Sequence, residues 1–128
     1  MRFLLDTCTF LWLIAGSREL SRTARRTFRD SENTFFLSAA SAWEIALKSA
    51  AGRLKLADDP ALLVPRERGR HGIEELSVTE ADALAAGRLP DIHRDPFDRL
   101  LVAQALARGF PILTPDEQIR RYPVRTLW

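Results

Sequence analysis

Short apolar runs of strand length alternate with longer stretches of helical period from the first residues to the last. That alternation limits the chain to a small set of folds. Arg2-Phe3-Leu4-Leu5 reads as a buried strand ending at Asp6, and the helix through Leu11, Trp12 and Ile14 that follows stops at Gly16. Ser21 caps a second helix reaching about Asp30, with Leu20, Ala24 and Phe28 on one face and arginines 22, 25, 26 and 29 around the rest. Residues 34–38 form a second strand, and Ser41 with Glu44 has the spacing of a capping box opening a helix that ends before Gly52. Asp59-Pro60 starts a helical segment that Pro65 and Gly69 interrupt, residues 73–76 form a weak strand, and Thr79 caps a helix ending near Gly87. Asp95-Pro96 opens a longer helix closing at Gly109, and the pattern ends with a strand at 110–114, a short helix at 115–121 and a strand at 124–127. Repeated strand-then-helix order predicts an α/β fold whose central, mainly parallel sheet of four to five strands is covered on both faces. A length of 128 residues fits one domain spanning 1–128.

Composition removes several function classes. The apolar stretch 10–15 is too short to cross a bilayer and no cleavable leader is visible, so the expectation is a cytoplasmic protein without membrane contact. Cys8 stands alone and neither His71 nor His93 lies in a motif that supplies it with a base, so it reads as a small buried hydrophobe rather than a nucleophile. The net charge is only +2, but all of the nineteen basic residues except Lys48 and Lys55 are arginine. Arginine suits bidentate contact with phosphates and carboxylates; a G+C-rich genome accounts for the same usage.

Ligands of parallel α/β sheets sit at the carboxyl ends of the strands, and four acids fall there. Asp6 closes the first strand, Glu44 lies in the helix after the second, Asp98 in the first turn of the helix opened by Asp95-Pro96, and Asp116 just beyond the strand ending at Thr114. Each of the last three also has a purely local reading: Glu44 as partner of Ser41 in the capping box, Asp98 as a first-turn acid complementing the helix dipole, Asp116 as turn chemistry beside Pro115. A carboxylate directly after an apolar strand, as at Asp6, needs a partner. Clustered carboxylates among apolar side chains raise one another's pKa, and a hard divalent cation is the natural neutraliser. That combination suits phosphodiester hydrolysis by a metal-activated water.

At these residues the sequence resembles the PIN-domain ribonucleases, and among them the VapC toxins of bacterial toxin–antitoxin pairs. The matching segments are LLDTCTFLW, LSAASAWEIALKSAAGRL, LPDIHRDPFDRLLVAQALARG and ILTPDEQI, ending in VRTLW. The resemblance implies an α/β/α sandwich that cleaves RNA with Mg²⁺ or Mn²⁺, forms a homodimer, and is silenced in a hetero-oligomer by a VapB-type antitoxin. Carried over by motif, the catalytic acids are Asp6, Glu44, Asp98 and Asp116, with Asp6, Asp98 and Asp116 as metal ligands. Asp95 is a helix cap first and an outer acid second, and Thr7 and Thr114 are candidates for orienting the carboxylates. Cys8 departs from the histidine frequent at that position in such toxins.

On this reading Arg94 and Arg99 are candidates for holding flanking phosphates. Trp12, Leu13 and Trp43 are candidates for an antitoxin groove, with a core role favoured for most of them. The rival enzyme is a PIN-like nuclease acting in RNA maturation or on DNA. The rival from another class is a non-catalytic acidic-pocket module such as a phosphoacceptor receiver domain, which needs a lysine after its last strands, whereas Lys48 and Lys55 lie earlier.

Overall fold

The structure is a computed structural model describing residues 1–128. Five strands, β1 (Arg2–Leu5), β2 (Thr34–Ser38), β3 (Ile73–Leu76), β4 (Ile112–Leu113) and β5 (Thr126–Leu127), form one sheet in the order β3-β2-β1-β4-β5. Every pairing is parallel, from Phe3 opposite Phe35 to Leu113 opposite Leu127. Six helices connect them: α1 (Thr7–Ala15), α2 (Arg22–Arg29), α3 (Ala39–Ala50), α4 (Pro60–Arg70), α5 (Glu80–Arg88) and α6 (Pro96–Arg108).

The two-residue period of the strands divides the core in two. Phe3 and Leu5 point with Phe35, Leu37 and Leu113 into a cluster closed by Phe10, Ala24, Ile45, Leu63 and Val64 of α1 to α4. Leu4 and Ile112 point the other way, against Leu101, Val102 and Ala105 of α6 and against Ile119 and Tyr122. Helix α5 lies on α6 through a polar clasp. Asp82 completes a capping box with Thr79, accepts a bidentate pair from Arg108 at 3.0 Å and accepts from Gln104 at 3.2 Å. Burial pushes the Asp82 carboxyl upward, but the hydrogen bonds from Arg108, Thr79 and Gln104 outweigh it and hold it down at about 2. Asp82→Ala leaves Arg108 without its partner and uncaps α5, so chemical denaturation should show a loss on the order of 3 kcal/mol. A loss under about 1 kcal/mol would mean that the clasp adds nothing to the packing of α5 on α6.

Several local expectations are corrected. Helix α3 begins at Ala39 directly after β2, capped by Ser38, whose Oγ accepts from the Ala40 amide. Ser41 and Glu44 therefore lie inside the helix rather than forming its capping box. Helix α4 runs unbroken through Pro65, because the buried Leu63 and Val64 pin it to the core and the carbonyl that loses its donor belongs to exposed Ala61. The segment 115–121 keeps only a 3₁₀ turn, Ile119–Arg121, and the last two strands are two residues each.

The strand order reverses direction between β1 and β4, and a crevice opens there at the carboxyl edge of the sheet. Asp6 follows β1 and Thr114 follows β4 on either side of it, tied by the Asp6 amide donating to the Leu113 carbonyl at 3.3 Å.

Candidate active site

The crevice holds a cavity of about 340 Å³ whose lining includes Asp6, Glu44, Asp95, Asp98 and Asp116. Residues 110 positions apart in the chain thus share one pocket. Asp6 is buried in the turn from β1 into α1, and its Oδ2 accepts from the Thr114 hydroxyl at 2.6 Å and from the Cys8 thiol at 3.5 Å. The same Thr114 oxygen accepts the Asp116 amide at 3.0 Å, so one hydroxyl couples the acids following β1 and β4. Asp116 is half-buried, with Oδ1 taking the amides of Gln118 and Ile119 at 2.7 and 3.2 Å and leaving Oδ2 for the cavity side.

Glu44 enters from α3. Residues 41 and 44 lie on one helix face, and both meet Thr7, whose hydroxyl reaches Ser41 Oγ at 2.9 Å and Glu44 Oε1 at 2.7 Å. Glu44 Oε2 pairs with Lys48 one turn further on. Asp98 is in the first turn of α6, positioned by Asp95, whose Oδ1 accepts the amides of Phe97 and Asp98 at 2.8 and 3.3 Å.

His93 was not among the residues expected at the site. Its Nδ1 accepts the Asp95 amide at 3.2 Å, which puts the ring proton on Nε2. Nε2 lies 2.9 Å from Asp98 Oδ2 and 3.3 Å from Asp116 Oδ2, so the imidazole bridges two acids. Ligand atoms of His93, Asp98 and Asp116 fall within 4.8 Å of one another; Asp6 and Glu44 share the cavity but stand outside that tight group. The sequence signal was the HRDPFDR segment, where the histidine precedes the helix cap by two residues.

Concentrated negative charge shows in the titration of the acids. Burial, then the neighbouring carboxylates of Asp6, Asp95, Glu44 and Asp116, push Asp98 up to about 8. Burial also raises Asp6, against hydrogen bonds from Thr114 and Cys8 and with a further push from Asp116. Burial and the Asp6 carboxylate drive the Cys8 thiol upward, so it stays protonated and is no nucleophile. The cations lining the cavity are Lys48, held charged by its hydrogen bond to Glu44, and Arg53. One ammonium and one guanidinium against five carboxylates leave an unbalanced set of oxygen donors, which matches a hard divalent cation.

One other expectation fails. Arg99 cannot hold a phosphate, because its guanidinium donates to the carbonyls of Ala86, Leu89, Pro90 and His93 and to the Tyr122 hydroxyl. Of the three groove candidates Trp43 is 59% exposed and stands edge-on to Phe97, with centroids 5.3 Å apart. Trp12 and Leu13 are half-buried against the first core cluster, Trp12 beside Trp128.

The fold agrees with the comparisons. The profile of the PIN domain matches residues 3–125, and the chain belongs to the PIN domain family. It is similar to ribonuclease VapC22 of Mycobacterium tuberculosis, with 29% identity over 98% of this chain and 97% of that protein. Similar solved folds include VapBC2 of Rickettsia felis, bound to a DNA fragment from its promoter (TM-score 0.71, 14% identity, covering 99% of this chain and 98% of that one). A toxin–antitoxin complex of Klebsiella pneumoniae is also similar (TM-score 0.65, 15% identity, 98% and 95%).

Proposed function

We propose that this chain is a divalent-metal-dependent endoribonuclease, acting through Asp6, Glu44, Asp98 and Asp116 as the toxin of a type II toxin–antitoxin pair. The observation that carries the chemistry is the convergence of those acids and Asp95 on one cavity at the β1/β4 crevice. The toxin assignment rests on the likeness to VapC22 over almost the whole of both chains. Residues 1–128 act as a single PIN unit in the cytoplasm on this reading, and no helix is long and apolar enough to cross a membrane.

Asp6, Asp98 and Asp116 are the residues to hold Mg²⁺ or Mn²⁺, which would supply a water of lowered pKa and offset charge on the phosphate oxygens. The protein's own work is orientation. Thr114 fixes the Asp6 carboxylate, Thr7 fixes Glu44, the amides after Asp116 fix that side chain, and the Nε2–H of His93 sets the spacing of Asp98 and Asp116. Lys48 pairs with Glu44 at the cavity and presents a cation to an incoming phosphate.

For the partner, the relevant feature is a groove of about 490 Å³ between α3 and α4, lined by Leu37, Ala42, Ala46 and Val64 among others. Trp43, Leu47 and Leu62 are exposed on the same two helices. This apolar face suits the amphipathic segment of a VapB-type antitoxin or a second copy of the chain.

Purified protein should cleave single-stranded RNA in Mg²⁺ or Mn²⁺, stop when the metal is chelated, and leave DNA of the same sequence intact. Equal cleavage of DNA would move the activity to the broader nuclease class, and no cleavage of either with metal present would refute the proposal.

A further inference from the structure

The acidic cavity repels the backbone of any RNA, so affinity for a polyanion must come from elsewhere on the molecule. Helix α2 carries Arg22, Arg25, Arg26 and Arg29, and these four alone line a surface pocket of about 350 Å³. Arg25 and Arg26 each stand three or four residues from both Arg22 and Arg29, so the four crowd one face, and the helix holds no acid to offset their repulsion. Arg22, Arg26 and Arg29 are exposed without an ion pair, and Arg25 spends one donor on the Ser17 carbonyl at 3.1 Å. Arg66 pairs with Asp58, Arg68 with Glu75, Arg70 with Glu67 and Arg108 with Asp82, and Arg99 donates to carbonyls; Arg2, Arg53, Arg88, Arg94, Arg120 and Arg121 make no ion pair but are scattered over other elements, whereas four arginines share one pocket on α2. Glu19, Asp30 and Glu32 lie in the flanking loops and form no salt bridge with the α2 face.

Helix α1 connects this face to the active cavity. It starts beside Asp6 and ends at Gly16, where Ser17 meets Arg25. Nine residues of helix span about 14 Å, so the arginines sit at the opposite edge of the sheet, a few nucleotides away along an extended strand. Arg18 shares a second pocket with Arg25 and Arg29 and extends the basic track.

We infer that the arginine face of α2 is a remote anchoring site for the phosphate backbone of the single-stranded RNA whose scissile bond enters the acidic cavity. Guanidinium forks lining a pocket that holds no apolar residue fit phosphates. An acidic peptide would need apolar anchors beside the guanidinium groups, and the pocket that the four arginines line offers none, Leu13, Leu20 and Phe28 lying in the neighbouring one. The inference rests on the ribonuclease reading for the identity of the strand, though the binding itself can be measured without cleavage.

The test is binding of single-stranded RNA to the full chain in chelator, which withholds the metal that cleavage needs, across a salt series, for wild type and for the triple variant Arg22→Gln, Arg26→Gln, Arg29→Gln. This variant keeps Arg25 and its structural bond, and a triple lysine variant retains the charge if glutamine impairs folding. The glutamine variant should bind at least about tenfold more weakly at low salt and flatten the log–log salt slope by roughly 2, three phosphate contacts at about 0.7 each. The lysine variant should keep most of the slope, and cleavage of a substrate too short to reach α2 should be unchanged. Unchanged affinity and slope for the glutamine variant overturns the inference, as does a loss confined to duplex DNA or to polyglutamate. If wild type binds through these arginines but cleaves no RNA, the anchoring site stands and the ribonuclease reading is what fails.

Discussion

Asp98→Asn should abolish metal-dependent cleavage and, in the same preparation, raise the melting temperature of the metal-free protein. Both effects have one cause. Asp98 is buried with Asp6, Asp95, Glu44 and Asp116 acting on it, and burial and these acids outweigh what its charge gains from His93 and Lys48. Asparagine keeps the shape and can turn its oxygen toward the Nε2–H of His93, so helix α6 stays in place. Losing an outer hydrogen-bond partner of a metal ligand typically costs 10–100-fold; losing a ligand that also faces the phosphate should cost at least about 10³-fold. Removing a desolvated, repelled carboxylate should stabilise the metal-free state by roughly 1–3 kcal/mol near pH 8. Asp6→Asn should behave in the same direction in both assays. Residual activity within tenfold of wild type, or a variant that melts lower than wild type, would show that Asp98 has a structural task instead.

The opposition between activity and stability explains which parts of the molecule were legible beforehand. Strand–helix alternation, the Ser21, Thr79 and Asp95 caps and the crevice acids all follow from short-range chemistry, and the fold realises them. Glu44 reached the cavity for a reason other than the local one. Ser38 and Ser41 are both suitable caps, and the choice falls to Ser38 because β2 passes into α3 without a loop. His93 was invisible because Asp116, one of the two acids it bridges, lies 23 residues away, and the ring is aimed by a backbone amide that no side-chain pattern reveals. Arg99 failed in the other direction: its acceptors are mostly main-chain carbonyls of residues 86–93, which any sequence offers, so only the folded loop discloses that it is a clip. Trp43 suits a groove or a core equally by residue type, and only the fold leaves it exposed on α3 while its neighbour Glu44 is buried. Long-range polar partners, more than elements, are what the residues in order leave open.

A second large effect concerns pH. The metal-free protein should lose stability as pH rises from about 5 to 8, contrary to the usual behaviour of a carboxylate-rich domain. Asp98 holds its proton in the folded chain up to about 8, whereas in the unfolded chain it releases it near the ordinary 3.8. Between those values the folded state binds more protons than the unfolded one. The derivative of unfolding free energy with pH is then negative, and Asp6, also raised, adds in the same direction. A gap of this size corresponds to at most about 5–6 kcal/mol. Coupling among the acids and relaxation of the cavity should bring the observed loss to on the order of 2–3 kcal/mol. At the acid end the slope reverses, because Asp82 is held down at about 2 and its clasp with Arg108 stabilises above the ordinary carboxylate range and fails as pH falls through that value. Denaturation of chelator-treated protein should therefore show a maximum near pH 4–5. With manganese present the alkaline limb should rise, since the ion takes the deprotonated acids and contributes about 2.7 kcal/mol at a hundredfold excess over its Kd. The two curves should separate steadily above pH 6. Parallel curves with and without metal, or a metal-free stability that climbs toward pH 8, would mean that the cavity acids ionise without cost and hold no cation.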